Sequence, residues 1–327
     1  MISIQGRNIN DVFWETLNAF PHYSMEEDSR NGKVQTIPHP FTLCYNNPTE
    51  RVLFWPQRDA NPYFHLMEAL WMLNGSDDVA WPKYFNSKFG QYSDDGVSLN
   101  GAYGARWRRH FGIDQIVALQ HLLERDPTTR RAVMGMWDPS RDMPRVTTSK
   151  DVPCNTQIYF RVVFNTLQMT VCNRSNDLIW GACGSNVVHF SMLQELLARS
   201  LFLDVGEYWQ ITNNLHIYDN VPSREIYGPY VGAWDDPYKS NEVTPYPLVR
   251  VELAKWLDDL RYFMLTPLNP SGYHDPFFTE VAYPIMKSWE ARKNRESNGL
   301  PELEECKAED WKRACTEWIL RREPNAS

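Results

Sequence analysis

Residues 151–177 read DVPCNTQIYFRVVFNTLQMTVCNRSND, and their pattern decides the fold class. Two runs rich in β-branched and aromatic residues, Gln157–Phe164 and Leu167–Cys172, flank the step Asn165-Thr166, which predicts a β-hairpin. Cys154 stands at the lip of the first strand, behind Pro153, and Arg174-Ser175-Asn176-Asp177 follows the second. Downstream, Gly181-Ala182-Cys183-Gly184-Ser185-Asn186 opens a long apolar helix, Asn186–Phe202. A further β-run, Glu207–Thr212, precedes Leu215-His216-Ile217-Tyr218, and Leu248–Phe263 is amphipathic with helical spacing.

Upstream, Ala132–Trp137 is another β-run, and helices are expected over Asn10–Phe20, Tyr63–Leu73 and Ile113–Leu123. Asn74-Gly75 ends the second of these helices and Asp126-Pro127 the third. Strands mixed with helices, without regular βαβ alternation, predict an α+β fold. After Leu265 the composition changes: Pro and Gly cluster through residues 266–276, then a charged helical tail runs from Glu302 to Arg322. The expected organisation is a main domain over 1–265 and a partly helical C-terminal extension over 266–327.

The 327 residues are 43% hydrophobic and 23% charged, a globular balance that excludes wholesale disorder. A formal charge of −8 argues against affinity for a nucleic-acid polymer or an acidic membrane surface. No stretch approaches the ~20 apolar residues that cross a bilayer. The six cysteines form no C-x-x-C pair and no zinc-like cluster, so a reduced, metal-free, cytoplasmic protein is expected.

Taken singly, the candidate residues are weak signals. Cys154 is a nucleophile if something lowers its pKa, and otherwise a small buried hydrophobe. Arg174 and Ser175 suit a phosphate, or equally a solvated turn with an ion pair. Arg130-Arg131 form a second arginine site at a helix-to-strand junction. Asn186 offers a donor and an acceptor to a base edge, or simply caps a helix. His216 and Tyr218 share one face of an extended segment and suit a sugar hydroxyl or the core.

Their order is far more specific. Pro-Cys, a hairpin, Arg-Ser-x-Asp, Gly…Asn at a helix start and His-x-Tyr together resemble the thymidylate synthase family. Upstream, Arg30-Asn31-Gly32 resembles its phosphate loop, and Glu68-Ala69-Leu70-Trp71-Met72-Leu73-Asn74-Gly75 its glutamate-bearing helix. Asn100 to Arg108, with Tyr103-Gly104 and Trp107-Arg108, resembles its Tyr-Gly-x-x-Trp-Arg segment, and Asp126-Pro127-x-x-Arg130-Arg131 its paired arginines. The resemblance covers roughly Asn10 to Leu265.

The resemblance implies a twisted mixed sheet with flanking helices and a homodimer formed through that sheet. It also implies one-carbon transfer from 5,10-methylenetetrahydrofolate to C5 of a pyrimidine nucleoside monophosphate. By position, Cys154 would attack C6, while Glu68 and Tyr103 would handle protons. Arg30, Arg174 and Ser175 would hold the phosphate, joined by Arg130 and Arg131 across the dimer. Asn186 would read the base, His216 and Tyr218 the 3′-hydroxyl, and Asp177 the pterin. A thiolate among arginines would have a lowered pKa.

Several features depart from an ordinary synthase. Phe89 stands where the family has a tryptophan beside the reacting carbon, Asn155-Thr156 rather than His follows Cys154, and the tail is about 60 residues longer. With the Arg-Ser-Asn-Asp form at residues 174–177, these features resemble the hydroxymethylase branch, including deoxycytidylate hydroxymethylases of phages. The expected reaction is therefore hydroxymethylation of dCMP, in a bacterial cytoplasm or a phage-infected host. Asn186 by itself leans towards uracil, which keeps thymidylate synthase and dUMP hydroxymethylase open. A C5 methyltransferase on dCMP and a catalytically idle nucleotide-binding protein also remain as alternatives.

Overall fold

The computed structural model describes residues 2–30, 32–219 and 236–323, so Asn31 of the phosphate-loop match lies outside the described residues. Strand β1 (Ile2–Gly6) leads into helix α1 (Ile9–Tyr23), which Asn8 caps by accepting from the amides of Asn10 and Asp11. Strands β2 (Met25–Ser29), β3 (Gly32–Ile37) and β4 (Phe41–Tyr45) follow. Helix α2 (Pro62–Leu73) begins with Pro at its first position behind the Asn61 cap. Next come α3 (Ala80–Phe85), α4 (Tyr103–Arg108), α5 (Gln115–Arg125), β5 (Val133–Gly135) and α6 (Pro139–Asp142). The hairpin of β6 (Asn155–Val163) and β7 (Thr166–Asn173) runs on into β8 (Asn176–Asp177), a π-helical turn (Leu178–Ser185) and α7 (Asn186–Ser200). Strands β9 (Asp204–Thr212) and β10 (Leu215–Tyr218) precede four C-terminal helices. These are α8 (Leu253–Leu265), α9 (Tyr283–Lys293), α10 (Leu300–Leu303) and α11 (Glu309–Leu320).

The main sheet has the order β1-β4-β9-β7-β6-β5 and mixes parallel with antiparallel pairs. A smaller sheet has the order β2-β3-β10-β8. Chain passes between them at two corners, Arg174-Ser175 and Asn213-Asn214, which are tied by Asn213 N to Asn173 O at 3.0 Å and Asn176 N to Asn214 O at 2.9 Å. Candidate phosphate and sugar residues therefore meet at a junction of sheets. The architecture is the expected α+β mixed sheet with flanking helices.

Helix α2 is buried along its whole length, and α7 almost so, because each is covered on every side. Polar residues on such helices must be paired or functional. Gln194 is paired through Nε2, which donates to the carbonyls of Leu167, Gly206 and Glu207, while its Oε1 is buried without a partner. Glu195 binds Arg51 and accepts from Leu248 N at 2.9 Å. Glu68, His65, Asn186 and His189 instead line a cavity. Gly104 lets α4 press against α2, since a Cβ there would collide with the Met72 carbonyl.

Residues 266–323 build into the same core. Trp318 of α11 packs edge-on against Tyr63 of α2 at 5.6 Å, and Tyr63 Oη bonds Ser288 Oγ at 2.8 Å. Strands β2 and β4 escape the pattern reading, because β2 is exposed throughout and β4 buried throughout, so neither alternates. Helix α8 starts five residues later than the periodicity predicts. Arg250 N is drawn out of helical geometry to Asp275 Oδ2 at 2.6 Å. Among the described residues no helix is long and apolar enough to cross a membrane.

Candidate active site

A cavity of about 670 Å³ lies between α2, α4, the start of α7 and the lip of the hairpin, and Cys154, Glu68, Tyr103, Asp177, Asn186 and Phe89 all line it. At the adjoining sheet corner, Arg174 donates Nε to Pro153 O and Nη2 to Val152 O, both at 2.9 Å, with Nη2 3.8 Å from Cys154 Sγ. Arg30 reaches the same loop, Nη1 donating to Ser149 O at 3.1 Å. Asn214 Oδ1 joins Ser175 Oγ at 3.5 Å to His216 Nδ1 at 2.9 Å, and His216 stands 5.0 Å, edge to face, from Tyr218. Arg130 and Arg131 lie on an exposed turn and do not line the cavity.

The thiol does not behave as the arginines alone suggest. Burial pushes Cys154 up from the ordinary thiol value and Asp151 adds to the rise, while Arg174 and Arg30 pull down without winning. Arg174 turns Nε and Nη2 to backbone carbonyls, and its pull does not offset the loss of water around sulfur.

Opposite the thiol, Glu68 Oε2 lies 2.9 Å from His189 Nε2, both side chains buried. His189 Nδ1 is buried without a partner. Burial, with Arg58 and then His189 nearby, pushes His65 well below the usual histidine value and keeps it neutral. Asp151 accepts from Gly101 N at 2.7 Å, and burial raises its carboxyl to about 6. Tyr103, half-buried, stacks on Phe190 at 5.6 Å, and loss of solvent holds its hydroxyl well above the usual value.

Asn186 donates Nδ2 to Asn176 Oδ1 at 3.0 Å and turns the rest of its amide to the cavity. Asp177 accepts from Trp180 N through Oδ1, while Oδ2 has no partner, and burial raises this carboxyl to about 6. Such an orphaned acceptor fits the N–H groups of a pterin ring. Phe89 forms an aromatic wall with Phe64 at 5.6 Å and Tyr92 at 5.8 Å, a fitting surface for a flat heterocycle. Among the described residues no His/Cys/Asp/Glu group could hold a metal ion.

Sequence reasoning missed His189, Asn176, Asp151, Asn214 and Arg58. His189 had a signal: a titratable residue three positions after Asn186 and hence on the same face of the helix. Trp318 and Arg322 had none; they come from the extension and line the same cavity. Arg322 stacks on Trp318 at 3.8 Å and pairs with Asp59, while Arg58 lies 4.4 Å over Trp180.

The thymidylate synthase family model matches residues 30–224. The chain is 43% identical over 332 residues to the deoxyuridylate hydroxymethyltransferase of Pseudomonas phage M6, a match covering 98% of this chain and 94% of that protein. It is 39% identical over 228 residues to the deoxyuridylate hydroxymethyltransferase of Bacillus phage SP01, covering 67% and 59% respectively. A thymidylate synthase of Francisella philomiragia is 30% identical over 168 residues, covering 47% of this chain and 60% of that protein.

Proposed function

The chain belongs to the thymidylate synthase family and is a one-carbon transferase acting on a pyrimidine nucleoside monophosphate with methylenetetrahydrofolate; we propose that it hydroxymethylates dUMP at C5. The observation that carries the finer reading is the near full-length match to a phage protein of that name. The cytosine expectation loses its support here, since the hydroxymethylase relatives carry deoxyuridylate in their names. Glu68 and His189 make one end of the cavity polar, a place where a water can be held.

Methylenetetrahydrofolate supplies the one-carbon unit at the formaldehyde oxidation level. Cys154 gives up its proton and adds to C6 of the pyrimidine, making C5 nucleophilic, which splits one hard step into two. C5 bonds the carbon unit; the Asp151 carboxylate, beside the thiol with Tyr103, takes the proton that C5 then loses, and the bond from that carbon unit to the folate nitrogen breaks, so that tetrahydrofolate leaves and an exocyclic methylene remains on the ring. Glu68, held by His189, orients the water whose oxygen bonds the exocyclic carbon. Electrons return through the ring, the C6–S bond breaks and the thiol is regenerated. Arg30, Arg174 and Ser175 hold the phosphate, with Arg130 and Arg131 reaching across a two-fold dimer. His216 and Tyr218 grip the 3′-hydroxyl, Asn186 reads the base, and Asp177 and Phe89 take the pterin.

The test is incubation of the purified protein with methylenetetrahydrofolate and either dUMP or dCMP, with products weighed by mass spectrometry. A dUMP product heavier by CH₂O, without dihydrofolate, is expected. A methylated product with matching dihydrofolate would make the protein a thymidylate synthase, and faster turnover of dCMP would restore cytosine.

A further inference from the structure

The side chain read as the base-contacting residue is held by a chain of buried amides that ends on a backbone carbonyl. Gln210 Nε2 donates to Ala182 O at 2.9 Å and to Tyr45 Oη at 3.2 Å. Its Oε1 therefore faces Asn176, whose Nδ2 donates to it at 3.0 Å. Asn176 Oδ1 in turn accepts from Asn186 Nδ2 at 3.0 Å. Gln210 and Tyr45 are 0% exposed, Asn176 3% and Asn186 8%. Gly181 makes the room, since a Cβ there would strike Asn176 Oδ1.

The direction of this chain cannot be reversed. An amide alone can turn over and exchange its donor with its acceptor. Turning Asn186 would set its oxygen against Asn176 Oδ1. Relieving that contact would require turning Asn176 and then Gln210, which would bring Gln210 Oε1 onto Ala182 O. A backbone carbonyl only accepts, so the last contact has no donor. Tyr45 could donate to a turned Gln210 only by rotating its hydroxyl away from Ala182 O, to which it donates at 2.9 Å, so reversal would strip that carbonyl of both side-chain donors.

We propose that Gln210 and Asn176 are positioning residues that lock Asn186 in one orientation and so make the site choose between uracil and cytosine. Uracil presents a donor at N3 and an acceptor at O4; cytosine presents an acceptor at N3 and a donor at N4. A freely turning amide satisfies both edges, whereas a locked one satisfies only one in a given pose. The losing base leaves buried polar groups unpaired, the arrangement that gives the largest discrimination. This rests on the reading of Asn186 as the base contact, and on that reading the favoured base is uracil.

The test measures dissociation constants for dUMP and dCMP by calorimetry on the full chain, without folate. Wild type is expected to favour one base by about tenfold or more. Gln210→Met, which removes the donor to Ala182, should reduce the preference by about tenfold, towards equality. Asn176→Ala cuts the middle link, leaves the Gln210–Ala182 bond, and should do the same; it carries the test if Gln210→Met does not fold. Tyr45→Phe removes a buried hydrogen bond beside the relay without altering its direction, so the preference should hold even as the melting temperature falls. Equal affinities in wild type, a preference unmoved by Asn176→Ala, or an equal loss in Tyr45→Phe would each overturn the relay. A wild-type preference for dCMP that the relay variants erase would sink the uracil reading and leave the relay standing.

Discussion

His189 Nε2 meets Glu68 Oε2 at 2.9 Å in a part of the cavity with almost no solvent, joining α7 to α2 through their only direct acid–imidazole contact among the described residues. With Nε2 bonded to the carboxyl, the imidazole fixes where Glu68 points. His189 Nδ1, otherwise unpaired, is left for a water or a substrate atom. Glu68→Gln should lower kcat by about 100-fold or more while changing dUMP affinity only a few-fold, as expected for a proton-handling group. His189→Ala leaves a buried carboxyl without its partner and should cost about 1–3 kcal/mol of stability as well as turnover. Steady-state kinetics with thermal melts checks both, and a fully active Glu68→Gln protein would remove Glu68 from the chemistry.

Cys154 should be sluggish towards alkylation in the free protein. Its thiol is pushed above the ordinary value by burial, so the thiolate fraction and the rate of modification should keep rising with pH past the point where an exposed cysteine levels off. Iodoacetamide labelling followed by peptide mass spectrometry measures this. If Cys154 is the covalent partner proposed above, Cys154→Ala should lose turnover by about 1000-fold or more while retaining nucleotide binding.

The proposed pterin contact of Asp177 makes folate recognition depend on pH. Its carboxyl is raised to about 6 by burial, so it is protonated below that pH and charged above it. If the carboxylate is what receives the pterin N–H groups, the KM for methylenetetrahydrofolate should rise as pH falls through 6, and Asp177→Asn should abolish that dependence. The stability sign is opposite. A raised folded-state value means the native state binds the extra proton, so this group's contribution is present below the unfolded value and is lost as pH rises through about 6. Asp177→Asn should therefore be more stable than wild type at pH 8, by on the order of 1 kcal/mol, in denaturant titrations.

The dimer is tested by complementation. Arg130 and Arg131 are exposed and outside their own cavity, so on the proposed assembly Arg131→Ala and Cys154→Ala are inactive for reasons that lie in different subunits. Mixing the two should restore part of the activity through hybrid dimers carrying one intact site. Sedimentation of a fully active monomer would refute it.

Trp318 and Arg322 tie the C-terminal helix to the cavity wall. Trp318→Ala should destabilise the protein by about 3 kcal/mol, since it removes a large ring packed on Tyr63 and Trp289. Arg322→Ala should raise the KM for folate and leave dUMP affinity unchanged, which separates cavity shape from fold.

The hairpin and both central helices were legible in the residues themselves, because β-branched and aromatic runs and helical spacing are local patterns. Cys154, Glu68, Tyr103, Asp177 and Asn186, which line one cavity, were picked out by the order of motifs that resembles the family. What only the tertiary structure decided are relations across distance. Glu68 and His189 are 121 positions apart, and their contact exists because α2 and α7 cross in the core. Gln210 reaches Asn176 because β9 and β7 are paired, with β8 beyond the corner. The upward shift of the Cys154 thiol followed from how far burial outweighs nearby arginines, a balance of solvent loss against charge that no spacing records. The orientation of Asn186 was equally invisible, since an amide reads the same in either sense until Ala182 O supplies the one partner that cannot donate.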